Sequence, residues 1–142
     1  MQQHHRLDSD AFGDAATLCG MPVTFFDSQP RTWTMGALVT DSQRVLFISG
    51  QIPATPEGEI PEGFDAQCRL AWRNVFKVLH DAGMTVENLV KVTVFLSDRC
   101  FCDANARIWR EMLGRQRPAL TIIIAGIYDE AWLLEIEAIA SA

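Results

Sequence analysis

The amino-acid sequence predicts an α+β domain, a mixed β-sheet with two helices on one face, and three observations lead there. Two stretches space apolar residues at intervals of three and four and end on glycine. Other stretches are short, apolar and rich in β-branched residues. Their order is strand, strand, helix, strand, helix, strand, strand. A chain of 142 residues, 49% hydrophobic and 21% charged, has material for one such core and no second.

Residues 1–32 carry scattered Gly, Asp, Ser and Pro without sustained periodicity. They are expected to form an irregular arm with one short helix around residues 11–19, ahead of a domain spanning 33–142. Met35-Gly36-Ala37-Leu38-Val39 and Arg44-Val45-Leu46-Phe47-Ile48 flank the polar turn Thr40-Asp41-Ser42-Gln43 and are expected to pair as a hairpin. Residues 54–63 hold Pro56, Gly58, Pro61 and Gly63, which continue neither a strand nor a helix, so they are read as a loop.

Residues 64–82 place Leu70, Ala71, Val75, Val78, Leu79 and Ala82 on one side, with Arg69, Arg73, Lys77 and Asp81 mostly opposite, and stop at Gly83. This is an amphipathic helix. Residues 89–96 form a strand in which Val90, Val92 and Val94 alternate with Lys91 and Thr93. A second helix is expected over about 102–113, with Asp98 or Asp103 as N-cap and Gly114 at its end. Residues 119–125 and 132–140 are the last two strands; in the second, Glu135 and Glu137 share one face and Leu134, Ile136 and Ala138 the other. Two helices cover one face only, so an apolar run such as Ile122-Ile123-Ile124 stays wet unless a further subunit covers it.

The charge balance narrows the partners. A net charge of -6 repels phosphate backbones, and no basic cluster interleaves with aromatics, so nucleic acid is excluded as an expected partner. No apolar run has the roughly 18 to 20 residues a membrane span needs, and the start Met1-Gln2-Gln3-His4-His5-Arg6 lacks a signal-type apolar stretch. A cytoplasmic protein is expected, with Cys19, Cys68, Cys100 and Cys102 as free thiols.

Four blocks lift the sequence out of the generic. Ser49-Gly50-Gln51-Ile52-Pro53 follows a strand, Val90-Lys91-Val92-Thr93-Val94-Phe95-Leu96-Ser97-Asp98 forms another, and then come Arg117-Pro118-Ala119 and Glu135-Ile136-Glu137-Ala138-Ile139-Ala140. In this order they resemble the signature blocks of the Rid (reactive intermediate deaminase, or YjgF) family, from Trp33 to the C-terminus. The resemblance implies a chorismate-mutase-like fold and a homotrimer whose sheets form a central barrel, with clefts between neighbouring protomers. It also implies hydrolysis of enamines or imines to a carbonyl and ammonia, without metal or organic cofactor.

Carried over position by position, the resemblance makes Glu135 the water-positioning glutamate and Asn105 a cleft asparagine, and puts Ser49 and Gly50 in the loop that lines the cleft. Trp33 falls where many members have a tyrosine. The departure is Leu120: members that act on amino-acid-type substrates have an arginine directly after Pro-Ala, whose guanidinium grips a carboxylate in a bidentate pair. Leucine holds no anion. With Thr121 beside it and Ile122 replacing a cysteine found in many members, this wall of the expected cleft is apolar. The substrate is then less charged, aromatic or extended, or its carboxylate is held from elsewhere, for which Arg31 is a conceivable anchor.

Each sharper reading has a bland rival. A Glu-x-Glu pair on a strand is most often a solvated pair. Cys100-Phe101-Cys102 lacks the spacing and the second ligand pair of a metal site. His4, His5 and His80 occupy no position that suggests a base, and Trp72 and Trp109 sit at core positions of helices. There is no Gly-rich phosphate loop and no Gly-x-Ser-x-Gly elbow. The expected function is an enamine or imine deaminase, in one version a 2-aminomuconate-type enzyme. The alternative is a non-catalytic trimeric protein that binds a small ligand. The older ribonuclease label carried by parts of the family fits the acidic balance poorly.

Overall fold

The computed structural model of the chain describes residues 16–17, 23–26 and 33–142. Strands Ala16–Thr17 (β1), Val23–Phe26 (β2) and Gly36–Val39 (β3) form a three-stranded antiparallel sheet. Strands Val45–Gln51 (β4), Leu89–Leu96 (β5), Ala119–Ile124 (β6) and Leu134–Ser141 (β7) form the main sheet in the order β4-β7-β5-β6. Its β5–β6 pair is parallel and the other pairs antiparallel, so the sheet is mixed. Helix Phe64–Asp81 (α1) and helix Cys102–Leu113 (α2) pack on one of its faces.

Both helices end where the sequence predicts. Gly83 and Gly114 take φ of 66° and 59°, the left-handed region open to glycine at little cost, and their N–H groups bond back to His80 and Arg110 carbonyls at 2.9 and 3.1 Å. At the start of α2, Asp98 is the capping residue: its carboxylate accepts the Cys100 N–H at 2.7 Å and caps a 3-10 turn, Arg99–Phe101, that leads into the helix. Asp103 lies inside the first turn of α2, where its charge suits the helix dipole.

The core lies between helices and sheet. Trp72 and Trp109 meet edge to face with ring centroids 5.5 Å apart, as core residues. Val92, Val94, Leu96, Leu134, Ile136 and Ala140 come from the sheet side, all essentially sealed from solvent. On the exposed side of the helices Arg69 grips Glu111 through two N–H bonds of 2.7 and 2.8 Å, and Arg107 reaches Asp65 at 2.7 Å. These pairs align the helices more than they stabilise them, because water screens them.

The structure corrects two local expectations. The runs around Asp41 are no hairpin: β3 pairs with β2, and β4 pairs with β7. The carbonyl of Ala142 accepts the Gln43 and Arg44 N–H groups at 3.1 and 2.9 Å, so the C-terminal strand takes the hydrogen bonds that a hairpin partner would have used. Within the arm, Val23–Phe26 and Ala16–Thr17 are strands, because β3 offers an edge to β2 and β2 in turn offers one to β1, which local periodicity does not reveal. The rest of the helix expected around residues 11–19 falls outside the described residues, as do Arg31, Cys19 and the His4-His5 pair.

Among the described residues, no helix packs on the second face of the main sheet. Phe47 is 74% exposed there, and at the β6 edge Ile122 and Ile124 remain 42% and 41% exposed. Among the described residues, no helix is long and apolar enough to cross a membrane. The Trp pair makes the core testable: Trp72→Ala is expected to lower unfolding free energy by about 3–5 kcal/mol in urea titration, whereas substitution of the exposed His80 by Ala leaves the midpoint within error.

Candidate functional site

Register sorts the candidate residues onto the two faces of the main sheet. Phe95 pairs with Glu135, Thr93 with Glu137 and with Thr121, and Lys91 with Ile139. Paired residues point the same way, so these side chains all belong to the bare face. Val92 pairs with Leu120 and Val94 with Ile122, which places Leu120 and Ile122 on the helical face. Leu120 is half-buried against the core there. Asn105 lies on the helical side too, buried between α1 and α2.

Glu135 and Gly50 are in direct contact. β4 shifts register between Ile48 and Gln51, and the bulge carries Ser49 and Gly50 over the start of β7. A Cβ built on Gly50 would lie 2.6 Å from Glu135 Cδ and 2.9 Å from its Cγ, so only glycine lets the carboxylate sit where it does. Glu135 is half-buried and makes no ion pair with a described residue.

Two polar residues of α1, not singled out from sequence, hold this arrangement. Gln67 is buried; its Nε2 donates to the Pro61 and Ala131 carbonyls at 3.1 and 3.0 Å, and its Oε1 accepts the Leu133 N–H at 2.8 Å. That fixes the segment entering β7, two residues before Glu135. Asn74 Nδ2 donates to the Ile52 and Ala54 carbonyls at 2.9 and 3.0 Å, fixing the segment that leaves Gly50. Gln67 was open to detection as a polar residue among the buried positions 64, 68, 71 and 75 of α1; Asn74 offers no such signal.

A cavity of about 260 Å³ opens on the same face, lined by Phe47, Ser49, Lys91, Thr93, Glu137 and Ile139, among others. Lys91 Nζ donates to Thr121 Oγ1. Burial draws the Lys91 ammonium below the usual lysine range, and Glu137 opposes that shift. Around Asn105 the surroundings are different: it is 1% exposed, its Nδ2 has no hydrogen-bond partner among the described residues, and the Cys68 thiol approaches its Oδ1 at 4.0 Å. Burial, reinforced by the Asp65 charge, pushes Cys68 up to about 12, so it stays an inert thiol.

Trp33 is half-buried, and the bridge between Thr34 and Ala119 runs its segment beside the first residues of β6, next to Leu120. The expected residues therefore fall into two groups. Ser49, Gly50, Glu135 and Thr121 belong to the bare face, and Asn105, Leu120 and Ile122 to the helical side, with Trp33 at the β6 edge. One protomer does not bring the two groups together. Among the described residues, no cluster of three or more His, Cys, Asp or Glu side chains is arranged to hold a metal ion.

Comparison with known proteins adds three findings. The family model described as endoribonuclease L-PSP matches residues 33–142. A RutC family protein of Pyrococcus horikoshii is 32% identical over 120 residues, covering 83% of this chain and 95% of that one. TdcF of Escherichia coli strain K12, provisionally named a reactive intermediate deaminase, is 33% identical over 105 residues, 70% of this chain and 81% of its own. Among solved structures, a Yersinia pestis protein of the conserved Rid family, of unknown function, superposes with a TM-score of 0.74 over 86% of this chain and 100% of that one, at 23% identity. That likeness shows the α+β fold.

The contact between Gly50 and Glu135 yields a coupled test. Gly50→Ala is expected to push the Glu135 carboxylate aside at a cost of about 1 kcal/mol, since the methyl group meets only the end of a flexible side chain, and Glu135→Ala little. The double variant should recover most of the loss in urea unfolding, since it removes the carboxylate that the new methyl group strikes.

Proposed function

The chain belongs to the family described by the endoribonuclease L-PSP model, the Rid or YjgF family, and from that premise we propose that it is a deaminase that hydrolyses a reactive imine or enamine to a carbonyl compound and ammonia. The observation that carries the reading is the Glu135 carboxylate seated over Gly50, on a sheet face with no helix and without an ion-pair partner among the described residues. The name given to TdcF supports the same class of chemistry.

The reaction asks little of the protein. An imine carbon is already electrophilic, and an enamine becomes an iminium by taking a proton at carbon. Glu135 accepts a proton from water as the water oxygen bonds to that carbon and the C=N electron pair moves to nitrogen. Starting from the iminium, this gives a neutral carbinolamine, which collapses: the Glu135 carboxyl gives its proton to nitrogen, the C–N bond breaks with its electron pair leaving on ammonia, and as C=O forms the hydroxyl proton passes through the Glu135 carboxylate to the ammonia. Water and iminium are consumed, and carbonyl and ammonium are formed. The Ser49-Gly50 bulge shapes the floor of the site and holds the carboxylate in place.

We place the complete cleft between protomers of a homotrimer. Two copies bring a bare face carrying Glu135 against a helical side and β6 edge carrying Asn105, Trp33, Leu120 and Ile122, which no single copy does. The exposed Phe47, Ile122 and Ile124 supply apolar surface for such an assembly. At Leu120 the missing guanidinium disfavours simple 2-imino acids. Glu135 and Glu137 repel a dianion as well, so the 2-aminomuconate version is the least favoured of those considered. They equally disfavour RNA, despite the description of the family model.

Ammonia release from freshly generated imines and enamines tests the function. Glu135→Gln is expected to lower the rate about 10²–10⁴-fold, and Leu120→Arg to raise turnover of 2-aminoacrylate by on the order of tenfold, through a restored bidentate contact. Light scattering should give three times the chain mass; a monomer at micromolar concentration removes the inter-protomer site. Leu120 also favours a second reading, a ligand-binding protein without turnover. Ligand-dependent thermal stabilisation with no ammonia from any substrate would establish it.

A further inference from the structure

The cavity beside Ser49 has a lining that the deaminase reading does not use. Lys91 and Glu137 both face it, on the same side of the sheet as Glu135; Thr93 pairs directly with Glu137, and Lys91, paired with Ile139, is its diagonal neighbour. They interact electrostatically without closing into an ion pair of 4.0 Å or less: Lys91 Nζ turns to the Thr121 hydroxyl, and the Glu137 carboxylate is left exposed. Phe47 and Ile139 complete the wall with apolar surface. Lys91 Nζ also donates to the Val92 carbonyl at 3.4 Å, so its remaining N–H is what it offers a ligand, beside a Glu137 carboxylate that is exposed.

The charges decide what that ligand is. A carboxylate meets one ammonium but two carboxylates on this face, Glu137 inside the cavity and Glu135 next to it along β7, about 7 Å away at the spacing of alternate strand residues. A plain ammonium is drawn to the carboxylates but has no acceptor to offer the Lys91 N–H, so it answers one side only. An uncharged group that donates and accepts at once satisfies both sides: its carbonyl oxygen takes the Lys91 N–H, and its N–H₂ gives to Glu137. A carboxamide is the simplest such group, and both of its hydrogen bonds here are charge-assisted.

We propose that this cavity is a specificity subsite for the non-reacting end of the substrate, and that it selects a carboxamide-type group over a carboxylate. The inference rests on Glu135 marking the reacting carbon, since the distance from Glu137 to Glu135 then sets the position of the C=N bond. It accounts for Leu120 in the same terms: a substrate without a carboxylate has no use for a guanidinium.

The test is a binding measurement that needs no turnover, so it fails or succeeds separately from the deaminase reading. Isothermal titration with lactamide and lactate compares two ligands of one shape that carry no C=N bond. Lactamide is expected to bind the wild-type protein at least tenfold more tightly. Glu137→Gln is expected to shrink that preference several-fold by admitting lactate, and Lys91→Met to weaken lactamide. Equal or tighter binding of lactate by the wild type overturns the subsite, as does the absence of binding by either ligand, whatever Glu135→Gln does to ammonia release. An unchanged lactamide-to-lactate ratio in a Glu137→Gln variant that keeps the wild-type circular dichroism and melting temperature also overturns it. If lactamide preference holds while no imine is hydrolysed, the cavity stands as a carboxamide-binding site and the catalytic reading of Glu135, with the substrate role drawn from it, fails.

Discussion

Two amide side chains on one helix set the geometry on which the site depends. Gln67 and Asn74 lie seven residues apart on α1, two turns of helix, and between them they bond four backbone carbonyls and one N–H from the segments that follow Gly50 and precede Glu135. Those backbone groups belong to irregular chain that no sheet ladder satisfies. Leaving one of them buried and unpaired costs about 1–3 kcal/mol, so the two segments are held to α1 closely. Gly50 then meets Glu135 because both are delivered by chain that the same rigid helix anchors. The Cβ-free position at Gly50 accepts the carboxylate, and the bulge in β4 supplies the turn that aims it.

From this anchoring follows the division of the sheet into a sealed face and an available one. The helices and the core take every side chain that points from β5 and β7 towards them. Whatever chemistry the strands carry must appear on the opposite side or at the β6 edge, where cover is incomplete. Lys91, Thr93, Glu135 and Glu137 are all on that opposite side, alternating residue by residue with Val92, Val94, Ile136 and Ala138. On the proposed reading a single protomer therefore carries half of a cleft on each of two surfaces. An assembly that buries the exposed phenylalanine and isoleucines also joins the halves, so stability and function ask for the same interface.

Most of the elements were legible in the sequence because they are local. The spacing on 64–82, the glycines at 83 and 114 and the valine alternation of 89–96 each fix a helix or strand without reference to anything distant, and the structure agrees within a residue or two. Pairing is the part that failed: nothing near Asp41 says that β4 joins the C-terminal strand nearly a hundred residues on while β3 turns to the arm. At the site, Glu135, Ser49 and Gly50 were found through their resemblance to family blocks, and the contact between Glu135 and Gly50 bears on their adjacency alone. Gln67 and Asn74 went unnoticed because their partners are backbone atoms of loops, whose course no residue pattern encodes. Leu120 and Ile122 were read as one apolar wall of a cleft between protomers; register keeps the two on one face and puts Glu135 on the other, because an odd offset along a strand reverses the face.

The absence of an arginine at Leu120 and the two glutamates on the bare face are consistent with one electrostatic logic. Hydrolysis of a C=N bond runs fastest through the protonated imine, so positive charge on nitrogen peaks early, before water has fully added. Carboxylates fixed near that nitrogen stabilise it without having to reorganise, and a guanidinium close by opposes it. What the resemblance implies for members with an arginine there is that they accept that opposition in exchange for holding a carboxylate. A chain that has leucine there is relieved of the conflict, at the loss of its grip on an acid, and on the proposed reading it recognises an uncharged group of its substrate instead. The cavity lined by Lys91 and Glu137, on the same sheet face as Glu135, is the place proposed for that group.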